Sequence, residues 1–278
     1  DPKKAKGLVK RDVVRVFTPG TIIEEEFLDT ISNNYLMGIK TGDYVYLSFI
    51  DLSTGEFLVT KIKRHEIEDI LNEIRKYSPS EALISSQDEY AREILDRLRG
   101  ELNIFITELP DTRFNRDLAE RELVSLFSLS DLEAKGLDED MISLCGAVIS
   151  YLRETYKSAL THIGRIVVYE PSQYLVLDGN TPRNLELVRN LADGSEKSTL
   201  FSILRETLTP MGTRLLRKTI LQPLRKTDEI RKRLSLVEVL YEEKFLRYDL
   251  RSYLSQISDI ERILTKINHG SVTPKDLV

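Results

Sequence analysis

From Tyr35 to Lys63 the chain carries three apolar runs, YLMGIK, YVYLSFID and EFLVTKIK, divided by Thr41-Gly42-Asp43 and Ser53-Thr54-Gly55. β-Branched and aromatic runs bounded by such turn residues predict three antiparallel strands. The period then changes. Ile67, Ile70, Leu71 and Ile74 stand at i, i+3, i+4 and i+7, which predicts an amphipathic helix over 64–77, stopped at Ser78-Pro79. A strand at 81–85 (EALIS), a helix showing Tyr90, Ile94 and Leu98 on one face, and a strand at 103–109 (NIFITEL) follow. A strand meander passing into α/β alternation predicts a mixed sheet covered by helices, in an RNase H-like layout.

Upstream, Asp12–Phe17 reads as a strand closed by Thr18-Pro19-Gly20-Thr21, and 22–34 as a linker with one helical turn. Downstream, helical spacing dominates. Ala119, Leu123 and Phe127 predict a helix from about residue 115, and Asp138 opens a long one through Met141, Cys145, Val148, Leu152 and Tyr156. A short pair of strands is expected at 165–169 and 174–177. Later helix starts are read from caps: Thr181-Pro182 and Thr209-Pro210 put Thr at the N-cap and Pro at the first helical position, and Ser258 with Glu261 spells a capping box. Two apolar stripes follow, Ile230/Leu234/Val237/Tyr241 and Ile260/Ile263/Leu264/Ile267. Thr273-Pro274 is a further helix start four residues before Val278, so a truncated chain is expected.

Composition narrows the chemistry. The 278 residues are 41% hydrophobic, enough for more than one core, and no run of about 18 apolar residues or apolar leader occurs, so a cytoplasmic protein is expected. Cys145 has no second cysteine to pair with, and His65, His162 and His269 are too far apart to form a metal-ligand motif. None of the 13 glycines stands two or five positions from another, which excludes the Gly-x-Gly and P-loop spacings that cradle phosphates. The net charge of −5 hides two halves: residues 1–140 carry −10 and residues 141–278 carry +5. Within the first half, residues 1–18 form a basic leader with six Lys/Arg and two Asp, leaving −14 on residues 19–140.

Three features invite a chemical reading. Asp51 ends a long strand where an RNase H-like nuclease places a metal-binding acid, but the neighbouring strand ends in Ser85-Ser86, and Asp138, Glu139 and Asp140 open a helix, where acids suit the dipole. Two-metal chemistry needs converging carboxylates, so Asp51 is read as an Asx-type turn residue. Cys145 lies on an apolar stripe and is read as core. The clusters Arg214/Arg217/Lys218, Arg225/Lys226 and Arg231/Lys232/Arg233 are read as solvated helix faces ahead of phosphate contacts, since no aromatic residues interleave with them.

Several stretches resemble the MutS family of DNA mismatch-repair proteins. KGLVKRDVVRVFTPGTIIEE resembles the end of that family's mismatch-recognition domain, YVYLSFIDLSTGEFLV the opening sheet of its connector domain, and YLVLDGNTPRNLELVRNLADGSEKSTLFSILRETLTPMGTRLLRKTILQPL with DIERILTKINHGSVTPKDL the start of its core, or lever, domain. The resemblance implies the tail of a mismatch-recognition domain at 1–20, a linker at 21–34, an RNase H-like connector at 28–148 and a partial helical core at 149–278. It implies that the intact protein is a dimeric ATPase using ATP and Mg, binding mismatched double-stranded DNA and recruiting a MutL-type partner. The family's mismatch-contacting and ATPase residues match no position here, so no catalytic, cofactor-binding or metal residue is assigned and this piece is expected to be non-enzymatic. The alternatives are an RNase H-like nuclease using Asp51 and a protein-interaction scaffold.

Overall fold

The computed structural model describes residues 16–127, 136–157 and 159–277. Most of the basic leader and of the expected strand Asp12–Phe17 lies outside those residues; Val16 and Phe17 are exposed coil. Six strands form one sheet: β1 (Tyr35–Thr41), β2 (Tyr44–Asp51), β3 (Glu56–Lys63), β4 (Glu81–Ser85), β5 (Phe105–Leu109) and β6 (Ile166–Val168), in the order β5-β4-β1-β2-β3-β6. The β1–β2–β3 meander is antiparallel, as its tight turns dictate. β4 runs parallel to β1, and β5 parallel to β4. Parallel neighbours need crossovers, and helices α1 (Ile67–Tyr77) and α2 (Glu89–Arg97) supply them. The first five strands therefore have the RNase H-like order that the sequence predicts.

Period-two alternation sorts the sheet residues onto two buried faces. Met37, Ile39, Leu47 and Phe49 pack with Ile70, Ile74 and Ile94 of α1 and α2. Leu36, Ile50, Phe57 and Val59 pack with Leu144, Val148, Leu152 and Tyr156 of the long helix α4 (Glu139–Tyr156), flanked by α3 (Arg116–Val124). Both faces are covered, which is why the strands read as continuous apolar runs. Asp138 starts α4, accepting a hydrogen bond from the Met141 amide at 2.9 Å. Gly38 lets α4 settle onto the sheet, because a Cβ there would stand 2.7 Å from Val148 and 2.9 Å from Leu144. Cys145 is fully buried in this core, and burial pushes its thiol up, as befits an inert packing residue.

The remaining elements are helical: α5 (Thr181–Asn184), α6 (Leu200–Leu204), α7 (Pro210–Leu221), α8 (Thr227–Glu242), α9 (Lys244–Leu254) and α10 (Ile260–His269). Three sequence expectations change here. The strand pair 165–169/174–177 does not form; Ile166–Val168 joins the sheet edge beside β3, while Tyr174 makes a single bridge to Leu224. Thr209 does cap α7, accepting from the Gly212 amide at 3.1 Å, but Thr181 caps nothing: Asp178 accepts from the Thr181 amide at 2.7 Å and does that work. The cap of α10 is Asp259, one residue after the expected Ser258, because its carboxylate is already fixed by an arginine. The expected stripe on α8 stays exposed, with Leu234 at 59% and Tyr241 at 76%.

Helices α3 and α4 cross closely at Gly146. A Cβ on Gly146 would sit 2.4 Å from the backbone of Ala119. Alanine is worth roughly 1 kcal/mol over glycine inside a helix, whereas forcing the crossing apart costs about 1–3 kcal/mol. Gly146→Ala is therefore expected to lower the urea midpoint of the chain; an unchanged or raised midpoint would mean that the crossing relaxes freely.

Candidate functional site

One cluster of polar residues removed from water, Asp51, Ser53, Arg214, Arg262 and Thr265, lies where the sheet meets α7 and α10. Asp51, at the end of β2, is fully buried and accepts hydrogen bonds from the Ser53 amide at 2.8 Å, the Ser53 hydroxyl at 2.7 Å and the Asn33 side-chain amide at 2.8 Å. Burial pushes its carboxyl up, and those donors act against the shift. It thus pins the β2–β3 turn to the linker that precedes β1. Gly55 completes the turn with a φ of +75°, and a Cβ there would stand 2.6 Å from the carbonyl oxygen of His162. Only glycine meets both demands.

Arg214 of α7 lies against this turn and linker, 5% exposed. Its guanidinium donates to both oxygens of Asp259 at 2.7 and 2.8 Å, to Glu261 at 2.6 Å and to the Thr30 carbonyl at 3.2 Å. Burial works against both charges of the Arg214–Asp259 pair. The paired hydrogen bonds outweigh it, holding the guanidinium above and the Asp259 carboxyl below their ordinary values. Arg262, one turn into α10, is 3% exposed and donates to the carbonyls of Asp29 at 2.8 Å and Ser32 at 3.2 Å. Thr265 donates to the Ser53 carbonyl at 2.9 Å. Two helices are thereby tied to one linker and one turn.

A second line of contacts runs along α7. Lys218 pairs with Glu56 of β3 at 2.5 Å, and the other Glu56 oxygen accepts from the buried Tyr35 hydroxyl at 2.5 Å. Burial, then Glu56, pushes that hydroxyl well up. Arg217 pairs with Glu196 at 2.8 Å, and its guanidinium lies 5.6 Å from the centre of the buried Phe201 ring. Between α7 and the β3–β6 edge a cleft of about 510 Å³ remains, lined by Glu56, Phe57, Val167, Met211, Arg214 and Lys218 among others.

The sequence-predicted candidates fall out as follows. Asp51 is a turn residue with its oxygens occupied by donors; Ser85 donates to Asp111 at 2.8 Å; Asp138 caps α4 and pairs with Lys61 at 2.7 Å. They do not converge, and among the described residues no group of three or more His, Cys, Asp or Glu could hold a metal ion. The expectation of solvated faces holds for Arg225, Lys226, Arg231, Lys232 and Arg233, which are exposed. It fails for Arg214, Arg217 and Lys218, which are drawn into ion pairs with carboxylates 21 to 162 positions away in the chain. Only the mixture of apolar and basic residues in MGTRLLRK hinted at this.

Comparison with known proteins bears on the whole arrangement. The family described as MutS domain II matches residues 34–164, and that described as MutS domain III matches residues 180–278. Proteins named DNA mismatch repair protein MutS from Methanococcoides burtonii and Methanosarcina barkeri are each 39% identical to it, over 282 and 293 residues. Both alignments take in 100% of this chain and 32% of the relative. A MutS from Alkaliphilus oremlandii is also 39% identical, with the same two shares. The chain thus spans about a third of the length of the curated relatives it matches.

Removing one partner of a buried pair leaves the other charged and dry, at a cost of about 3–5 kcal/mol. Arg214→Met is expected to lose stability on that scale in chemical denaturation, and a change below about 1 kcal/mol would show the pair to be hydrated. The pH dependence follows from the depressed Asp259 carboxyl. Its stabilisation is complete above an unfolded-state value of about 4 and is lost as pH falls through the lower folded-state value. Asp259→Asn should flatten that part of the acid limb; an unaltered acid limb would remove Asp259 from the account.

Proposed function

The chain belongs to the MutS family, and we propose that it is the part of a DNA mismatch-repair protein that carries mechanical coupling between a mismatch-binding region and an ATPase region. The reading that best fits the fold is a connector at about 28–148 followed by the first part of a helical core, with residues 1–20 and 21–34 as the tail and linker of a preceding domain. The observation that carries it is the joint itself. Arg214 and Arg262 fasten the linker at 29–32 to α7 and α10, so a displacement of the linker is delivered to the helices instead of being absorbed. No catalytic, metal or cofactor residue is assigned to this chain; in the intact protein ATP and Mg would be bound elsewhere.

The same reading gives the whole protein mismatched double-stranded DNA as ligand, a homodimeric state, a cytoplasmic location and a MutL-type partner. The charge of −14 on residues 19–140 supports an exposed acidic module able to meet a basic partner surface. The exposed Arg225, Lys226 and Arg231–Arg233 support phosphate contacts that read no bases.

Lys218→Met removes the α7–β3 ion pair, whose side chains keep 30% and 27% exposure, and leaves the deeper Arg214 contacts in place. In the full-length protein it should reduce the stimulation of ATP turnover by mismatched DNA at least threefold without changing DNA affinity. Full stimulation would contradict the coupling role of α7. For the 278-residue chain alone, titration with matched and mismatched duplexes should give equal, weak affinities that fall steeply with salt; a mismatch preference would place base readout within this chain.

A further inference from the structure

The segment leaving β6 does not pass directly to the helices. Residues 169–179 run as a strap across the C-terminal end of α1, where three consecutive side chains receive it. Gly179 lies on Arg75, so close that a Cβ would stand 2.4 Å from the arginine Cδ, and Arg75 is itself fixed by Glu101 at 2.8 Å. Tyr77 packs against Tyr169, ring centres 6.0 Å apart. Between them Lys76, with 13% of its side chain exposed, pairs with Glu73, which is 7% exposed. The ammonium also faces three tyrosine rings, Tyr77 at 4.9 Å, Tyr169 at 5.4 Å and Tyr174 at 5.3 Å. Tyr169 donates its hydroxyl to Glu73 at 2.7 Å.

We propose that Lys76 is a positioning residue that clamps this strap to α1, giving the sheet unit a further hold on the helices beside the Arg214 joint and the Lys218–Glu56 pair. Two of the three rings and one hydroxyl come from the strap, whereas Lys76, Glu73 and Tyr77 come from α1. The strap then pairs with the segment that follows α7: Tyr174 bridges Leu224, the Leu175 amide donates to the Pro223 carbonyl at 2.8 Å, and the Arg225 amide to the Gln173 carbonyl at 3.3 Å. The clamp therefore holds the segment that leaves α7, adding to the grip of Arg214 on its first turns and of Lys218 on its last. The cation is what joins the pieces: it satisfies a buried carboxylate and attracts ring faces at once, and a neutral side chain of the same length does neither. The glycine contact at residue 179 depends on Arg75 in turn and closes the far end of the strap.

The inference concerns the resting geometry of the chain and deepens the coupling reading without needing DNA or nucleotide. Its test is hydrogen–deuterium exchange in the full-length protein, with no ligand added. Lys76→Met should raise exchange at least tenfold in peptides covering 169–179 and 222–226, while β1, β2 and α4 keep their protection. Lys76→Arg, which restores a cation able to pair with Glu73 and face the rings, should return the strap to near its native protection. Tyr174→Leu offers an independent variant on the half-buried strap residue and should reproduce the loosening. Unchanged protection of the strap in Lys76→Met and Tyr174→Leu, or a Lys76→Arg variant as loose as Lys76→Met, would overturn the proposal. A loosened strap with undiminished DNA-stimulated ATP turnover would leave the clamp standing and count against the coupling reading alone.

Discussion

Arg214 is taken out of water on a helix that touches the sheet, and its surroundings are built to make that tolerable. A buried guanidinium without partners costs several kcal/mol, so the site supplies two carboxylates and a carbonyl. Those partners come from different places: Asp259 and Glu261 from the start of α10, Thr30 from the linker before β1. The planar fork of the guanidinium accepts little angular error, so satisfying it fixes the relative placement of three segments. Arg262 and Asp51 extend the same logic to the linker and the β2–β3 turn. Hydrophobic burial makes the sheet unit; this polar cluster sets how the helices sit on it.

How much of this was legible in the sequence depends on the range of the interaction. The five core strands and α1 to α4 follow from period-two and period-3.6 spacing, which are local properties. Asp51 was legible as a turn residue because its partner Ser53 is two positions away. Arg214 was not, because a basic residue on an amphipathic helix looks the same whether it faces water or a carboxylate 45 positions downstream. Glu56, Tyr35 and Lys218 were missed for the same reason. The short strand β6 was seen but given the wrong partner. A three-residue strand carries no register information of its own, and the sheet edge beside β3 competes better for it than a nearby exposed segment. Thr181 shows the weakness of cap motifs read alone, since Asp178 accepts from the Thr181 amide and Thr181 becomes the first helical residue instead of its cap.

The division of labour in the chain follows from these contacts. The sheet, covered on both faces, is the rigid base. Under the proposed coupling, the linker at 29–34 would bring in displacement and α7 and α10 would carry it onward, with the strap at 169–179 bracing the segment that leaves α7. Beyond that point α8 and α9 expose many large apolar side chains, among them Phe245 at 88% and Tyr248 at 74%, so they take little part in the joint. Asp51, Arg214, Asp259 and Arg262 hold geometry, each engaged by hydrogen bonds to a neighbouring segment.

Rigidity between sheet and α7 is the core of the account, and distance measurement by pulsed electron spin resonance addresses it directly. Spin labels at Asp96→Cys on α2 and Leu215→Cys on α7 sit at exposed positions, and the native Cys145 is buried and out of reach of the labelling reagent. A fixed joint gives one narrow distance distribution, only as broad as the labels' own rotamers allow. A broad or two-peaked distribution would mean that α7 moves independently of the sheet, and the joint would then be a hinge.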